Sequence, residues 1–180
     1  TYFGGYGSAV YNMDIDKYGR LLLAGSNSGD LPGHTVPLPA NAEQWPFASS
    51  NSQFDAFVAM ISPDHQILWS TYIGGAGNDL GYSVRYGDNN IVVAGISSSS
   101  SIQTLDAGNG GQYITTLNGT LDSFIMEFTL NGDQLWGTYV GYATQMAFQG
   151  LAVDKSNGDV FLTGDTQNGT LPVTTNAPWY

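Results

Sequence analysis

The chain has 180 residues, with 24 Gly, no Cys, and 4 Lys and Arg against 15 Asp and Glu, a formal charge of −11. The length suits one ordinary domain with a real core, and the charge excludes a nucleic-acid backbone or an anionic membrane surface as partner by repulsion. The missing Cys excludes a disulfide framework, a thiol nucleophile and Cys-ligated zinc, and no apolar run nears the roughly 18–20 residues that span a bilayer. Hydrophobic residues make up 42% of the chain and charged ones only 11%, which excludes a disordered chain. Thirteen of the fifteen acids are Asp, a residue of turns and caps rather than helices, so composition points to a turn-rich all-β protein.

In chain order, the first predicted strand covers residues 9–15 and turns at Asp16-Lys17-Tyr18-Gly19 into a second over 21–25. A long loop leads to a third strand over 56–61, a turn at Ser62-Pro63-Asp64-His65, and a fourth strand that carries Trp69 and ends in Thr71-Tyr72. The cycle then restarts. Strands over 82–86 and 91–95 flank the turn Gly87-Asp88-Asn89-Asn90. Residues 123–128 and the strand of Trp136 flank Leu130-Asn131-Gly132. A third start places strands over 151–154 and 160–164 about Lys155-Ser156-Asn157-Gly158. Gly and Asn supply the positive φ that such hairpin turns demand. In the third strand Phe57, Ala59 and Ile61 alternate with Ala56, Val58 and Met60. Both faces are apolar, so the sheet is expected to be covered on both sides.

Four markers recur in one order. Thr1-Tyr2-Phe3-Gly4-Gly5 returns at Thr71-Tyr72-Ile73-Gly74-Gly75 and at Thr138-Tyr139-Val140-Gly141-Tyr142, with offsets of 70 and 67. Leu22-Leu23-Ala24-Gly25, Val92-Val93-Ala94-Gly95 and Phe161-Leu162-Thr163-Gly164 follow the same period. Asp55-Ala56-Phe57 matches Asp122-Ser123-Phe124, and Trp69 matches Trp136. The chain is therefore a tandem repeat over 1–75, 76–142 and 143–180, the first opening inside a fourth strand and the last holding half a unit. Tandem four-stranded antiparallel units with two buried faces predict a β-propeller, here about two and a half blades of a larger ring. Such an arc cannot close, so these residues are expected to be a piece of a longer protein.

The ordered set Trp69-Ser70-Thr71-Tyr72-Ile73-Gly74-Gly75, Val92-Val93-Ala94-Gly95 and Asp122-Ser123-Phe124-Ile125, with the tail Leu171-Pro172-Val173-Thr174-Thr175-Asn176, resembles the SBBP-type β-propeller repeat of bacteria. The resemblance covers almost the whole chain. It implies a propeller in long exported or surface-attached bacterial proteins, and it implies no shared chemistry. The chain departs from its own pattern at Met126-Glu127, which charges the third strand, at Tyr142, and in the Pro-rich loop around Trp45.

Candidate sites read mostly as architecture. His65 aligns with Gly132 at a turn position expected to need positive φ, and His34 has no nearby second ligand. Asp14-Ile15-Asp16-Lys17-Tyr18-Gly19 and Asp154-Lys155-Ser156-Asn157-Gly158-Asp159 open like calcium loops but lack the closing Glu, so they read as turns. Asp55 and Asp122 recur with the period, unlike the unique acid pair of a glycosidase. Asn118 and Asn168 match the N-glycosylation pattern. Trp69, Trp136, Tyr2, Tyr72 and Tyr139 are expected between blades, while Trp45, Trp179 and Tyr180 lie in loops where they offer a sugar-stacking or docking surface. No catalytic, cofactor or metal residue is expected. The reading is a non-enzymatic extracellular or cell-surface propeller segment with a structural, adhesion or assembly role. Its expected partners are other segments of the same protein, and a protein or glycan held by loops 27–54 and 96–121, with no nucleic acid and no membrane insertion. The alternatives are a carbohydrate-binding module and part of a propeller enzyme whose catalytic residues lie elsewhere.

Overall fold

The computed structural model describes residues 7–28, 53–108, 113–140 and 145–167. Trp45, His34, Trp179, Tyr180 and most of loop 27–54 lie outside them. The described residues form an all-β structure of ten strands with no helix. Strands β1 (Ala9–Ile15), β2 (Leu21–Asn27), β3 (Asp55–Ile61) and β4 (Ile67–Ile73) make one antiparallel meander. A second comprises β5 (Asp79–Tyr86), β6 (Asn90–Ser97), β7 (Asp122–Thr129) and β8 (Gln134–Val140). β9 (Gln145–Val153) and β10 (Val160–Gln167) form a two-stranded sheet. The strands match the expected ones and mostly run longer, β9 by six residues at its start. A bulge lets each opening hairpin continue pairing where strict alternation breaks.

Those bulges give the repeat a structural register. The pairing of β1 with β2 slips between Val10 and Asn12, that of β5 with β6 between Gly81 and Ser83, and that of β9 with β10 opposite Thr163 and Gly164. Tyr11, Tyr82 and Gln149 are the extra residues, one per sheet. An extra residue bends its strand and re-aims the side chain. The Tyr11 and Tyr82 rings accordingly meet, with centroids 5.3 Å apart. Beside each slip in the first two sheets stands Gly25 or Gly95. A Cβ there would lie 1.9 Å from the Ala9 carbonyl oxygen or 2.0 Å from that of Leu80, so only Gly fits.

Packing follows from the two-faced middle strands. All seven residues of β3 are buried. Ala56, Val58 and Met60 enter a core shared with Val84 and Tyr86 of the next sheet, and Phe57, Ala59 and Ile61 pack on the opposite face with Leu23 and Tyr72. The pattern repeats one sheet on, where Val92, Ala94 and Ile125 meet Leu151. The first strand of each later sheet lies against the preceding sheet, β5 on β1, β2 and β3, and β9 on β5, β6 and β7. β5 pairs with β6 on one edge only. On the other, Asn12 accepts from the Val84 N–H at 3.4 Å and Asp14 from the Tyr86 N–H at 2.9 Å. Buried backbone donors need partners, and the preceding sheet supplies them.

The turns behave as the residue types dictate. His65 has φ 65°, the one non-Gly positive φ among the described residues, and Gly132 has φ 92° at the matching place. In both turns that residue's N–H returns to the first residue of the turn, Ser62 or Thr129. Gly132 is doubly constrained, because a Cβ would sit 2.9 Å from the Trp69 ring. Trp69 reaches there from the neighbouring sheet, donating its indole N–H to the Leu130 carbonyl at 3.1 Å and packing near Phe128. Gly132→Ala is expected to cost about 2 kcal/mol or more, since left-handed strain and a ring clash add. His65→Gly is expected to stabilise by about 1 kcal/mol by relieving that strain. Urea midpoints of the two variants check both signs.

Candidate functional site

Two polar regions depart from the repeat. The first is a buried acidic junction where the β3, β5 and β7 starts converge. Asp55, Asp79 and Asp122 are all inaccessible to solvent. Asp55 pairs in register with Asn27, and Asp122 with Ser97, so these two are true repeat partners. Asp79 opens β5 opposite Ser97 and has no acidic counterpart at the same register in β9, where Met146 stands opposite Thr166. Asp79 Oδ2 accepts the Ser99 hydroxyl at 2.7 Å and the Gly75 N–H at 3.0 Å. Asp122 takes the Asn118 N–H at 2.9 Å. Gly74 separates two of the acids, since a Cβ on it would lie 2.7 Å from an Asp55 oxygen and 2.8 Å from Asp79 Oδ2. Gln103 holds that glycine by both of its backbone groups, at 3.0 and 2.9 Å.

Burial pushes the Asp79 carboxyl above its ordinary value of 3.8. The Ser97 and Ser99 hydroxyls and the Gly75 N–H pull it back, and the nearby Asp55 raises it further. Burial likewise raises Asp122, opposed by the Asn118 N–H. The Tyr139 phenol, which donates to the Ser99 carbonyl at 2.7 Å, is pushed up to about 12 and stays neutral. A carboxyl raised by folding holds its proton in the native state over a pH range where the unfolded chain releases it. Its contribution is therefore lost as pH rises through that range. Asp79→Asn is expected to raise the melting temperature at neutral pH, with the gain over wild type shrinking as pH falls towards 4. Paired thermal melts across that range provide the check.

The second region is the end of the molecule formed by the opening hairpin turns. All four positive side chains, Lys17, Arg20, Arg85 and Lys155, belong to this end. A hollow of about 200 Å³ is walled by the first turn with Lys17, Tyr18 and Arg20, by Tyr86 to Asn89 of the second, by Leu130, and by Lys155 of the third. A wider hollow of about 430 Å³ adjoins it and shares Asp88, Asn89 and Lys155. Together they make a groove crossing the turns of three sheets.

Asp16 caps its own turn, accepting the Tyr18 and Arg20 N–H groups at 2.9 Å each and pairing with the Arg20 guanidinium at 2.7 Å. These bonds and the Arg20 charge outweigh desolvation and hold its carboxyl below the usual range. Asp154 caps Ser156 at 2.8 Å through its N–H. Asp16 and Asp154 of the two calcium-like loops thus serve as turn caps, and among the described residues no three acidic or His side chains converge as a metal would require.

The other expected positions divide cleanly. Trp69 and Tyr72 are buried between or within sheets as anticipated. Asn27 donates to the Tyr72 hydroxyl at 2.9 Å. Glu127, the charge that breaks the third-strand pattern, is neither loose nor isolated, because the Trp136 indole and the Asn90 amide both donate to it. Loop 96–121, expected to present a binding surface, folds back on its own sheet over much of its length. Ile102 is buried, Leu105 and Gly137 exchange two backbone bonds of 2.9 Å, and the Tyr139 N–H reaches the Ile114 carbonyl at 3.1 Å. Asp79 and the groove were missed in the sequence. The available signal was that Lys17 and Lys155 hold the same place in equivalent turns. Comparison of the chain with protein-family models and with curated proteins finds no match.

Proposed function

We propose that this chain is a run of blades from an extracellular β-propeller of the SBBP type, serving without enzymatic activity as a structural, adhesion or assembly module of a larger secreted or surface protein. One observation carries the reading. Val84 and Tyr86 of β5 are 0% and 3% exposed beneath the first sheet, whereas their repeat partners Met13 and Ile15 of β1 are 61% and 60% exposed. The first sheet thus keeps an apolar face of the kind that a preceding blade covers elsewhere in the same molecule. Exposed apolar area of this sort marks an interaction surface, and radial repetition is the usual way to bury it. The acids support a non-enzymatic role, because Asp16 and Asp154 cap turns and Asp55 and Asp122 repeat with the architecture.

The test uses the repeat's own phase. Residues 76–137 fused ahead of Thr1 supply one more sheet in register with the period. The fusion is expected to slow hydrogen exchange of the β1 amides and raise the melting temperature. Unchanged β1 exchange in a folded fusion rejects the propeller reading.

A further inference from the structure

We infer that Asn118 is a site of spontaneous modification, where attack by the Gly119 nitrogen converts the asparagine to isoaspartate and frees one end of loop 96–121. This goes beyond the propeller reading and does not depend on it, since it concerns one turn within the second repeat. Asparagine followed by glycine is prone to the reaction because glycine has no Cβ to shield its nitrogen. That nitrogen attacks the side-chain amide carbon, a C–N bond forms, and the amide leaves as ammonia. Water then opens the resulting five-membered imide at either carbonyl. Opening at the original main-chain carbonyl routes the chain through the side-chain carbon. The backbone gains one methylene, and a new carboxylate is left beside it. One water is taken up and one ammonia released, and no oxidant or cofactor takes part.

Three Asn-Gly pairs lie in the described residues, at 118–119, 131–132 and 157–158, and the fold treats them differently. The attacking nitrogen must lose its proton and turn towards the side chain, so a hydrogen bond on its N–H opposes the reaction. The Thr129 carbonyl holds the Gly132 N–H at 3.1 Å, and the Asp154 carbonyl holds the Gly158 N–H at 2.8 Å. Asn157 is also fixed at its side chain, which donates to Asp159 Oδ2 at 2.7 Å and accepts the Asp159 N–H at 3.0 Å. Neither restraint exists at 118. Asn118 is exposed, and neither its side-chain amide nor the Gly119 N–H has a hydrogen-bond partner among the described residues. Gly119 has φ 136°, a conformation that residues with a Cβ rarely adopt, so the turn itself keeps glycine at the attacking position.

The place of Asn118 gives the reaction a structural consequence. Its backbone N–H donates to Asp122 Oδ2 at 2.9 Å, closing a turn that spans the reacting bond. Just before it, the Leu117 N–H reaches the Ser100 carbonyl at 3.1 Å, and the Ile114 N–H reaches the Thr138 hydroxyl at 2.8 Å. A methylene added between 118 and 122 breaks the fit of that closing turn. Asp122 is inaccessible to solvent, and its Oδ1 has no hydrogen-bond partner among the described residues. Loss of the Asn118 donor leaves the whole carboxyl without one, and the new carboxylate adds a like charge beside it. Both effects favour release of the loop end.

Peptide mapping of the 180-residue protein, aged in mildly alkaline buffer with and without urea, tests this. In the folded protein Asn118 is expected to lose ammonia about tenfold faster than Asn131 or Asn157, the factor that one protecting hydrogen bond supplies. Isoaspartate is expected as the main product. In urea the three rates are expected to converge, because the protection belongs to the fold. Hydrogen exchange of the aged protein is expected to quicken at the Ile114, Leu117 and Tyr139 amides. Asn118→Gln keeps the backbone cap but would need a six-membered imide, so it is expected to prevent both changes. Equal rates in the folded protein, no reaction at Asn118, or the same ranking in urea overturns the inference. Unchanged exchange in protein that carries isoaspartate at 118 overturns the release of the loop.

Discussion

The structure rests on middle strands that are apolar on both faces. A sheet of only four short strands cannot bury such strands alone, and burial of each side chain is worth about 1.5–3 kcal/mol. Such a sheet is stabilised by neighbours on both faces, as the second sheet is by the first and by β9. Phe57 and Val58 are adjacent in sequence yet belong to different cores, so β3 ties one inter-sheet layer to the next. The first strand of the second sheet completes the arrangement, because the N–H groups on its unpaired edge find acceptors on the sheet before it. Asn12 and Asp14 are polar in a strand otherwise made to pack, and they answer the β5 backbone.

Repetition of this plan separates architecture from individuality. Positions set by the plan recur in chemistry as well as in place, as Gly25 does in Gly95 and Tyr72 in Tyr139. Positions that break it are the informative ones. Glu127 has an internal explanation in two side-chain donors. Asp79 adds a second acid to a junction that already contains Asp55, an arrangement that costs stability at neutral pH. Function grafted onto a repeated scaffold is expected at such places.

Much of the fold was legible because strands and hairpin turns are local. Alternation located the strands, and Asp, Asn and Gly located the turns. The shared position of His65 and Gly132 disclosed a left-handed residue before any geometry was known. Strand ends were less legible, since the bulges at Tyr11 and Tyr82 let pairing run past the point where alternation fails. The path of loop 96–121 was illegible for a different reason. Its Gly and Ser content reads as free loop, whereas Ile102, Leu105 and Ile114 attach it to the sheet at positions with no period. The acidic junction and the groove depend on how sheets approach one another. Residues 55 and 79, or 17 and 155, carry no sequence mark of that approach beyond a shared phase in the repeat.

The attachment of loop 96–121 has a consequence for self-association. β8 is the outermost strand of its sheet, and a free outer strand offers a ladder on which another chain can grow. Such an edge would be an aggregation hazard. The loop occupies that ladder at Gly137 and Tyr139. Its irregular backbone offers no continuous strand in return, so the sheet ends in a surface that cannot be extended. The insertion at 96–121 thus acts as a built-in terminator of its own sheet.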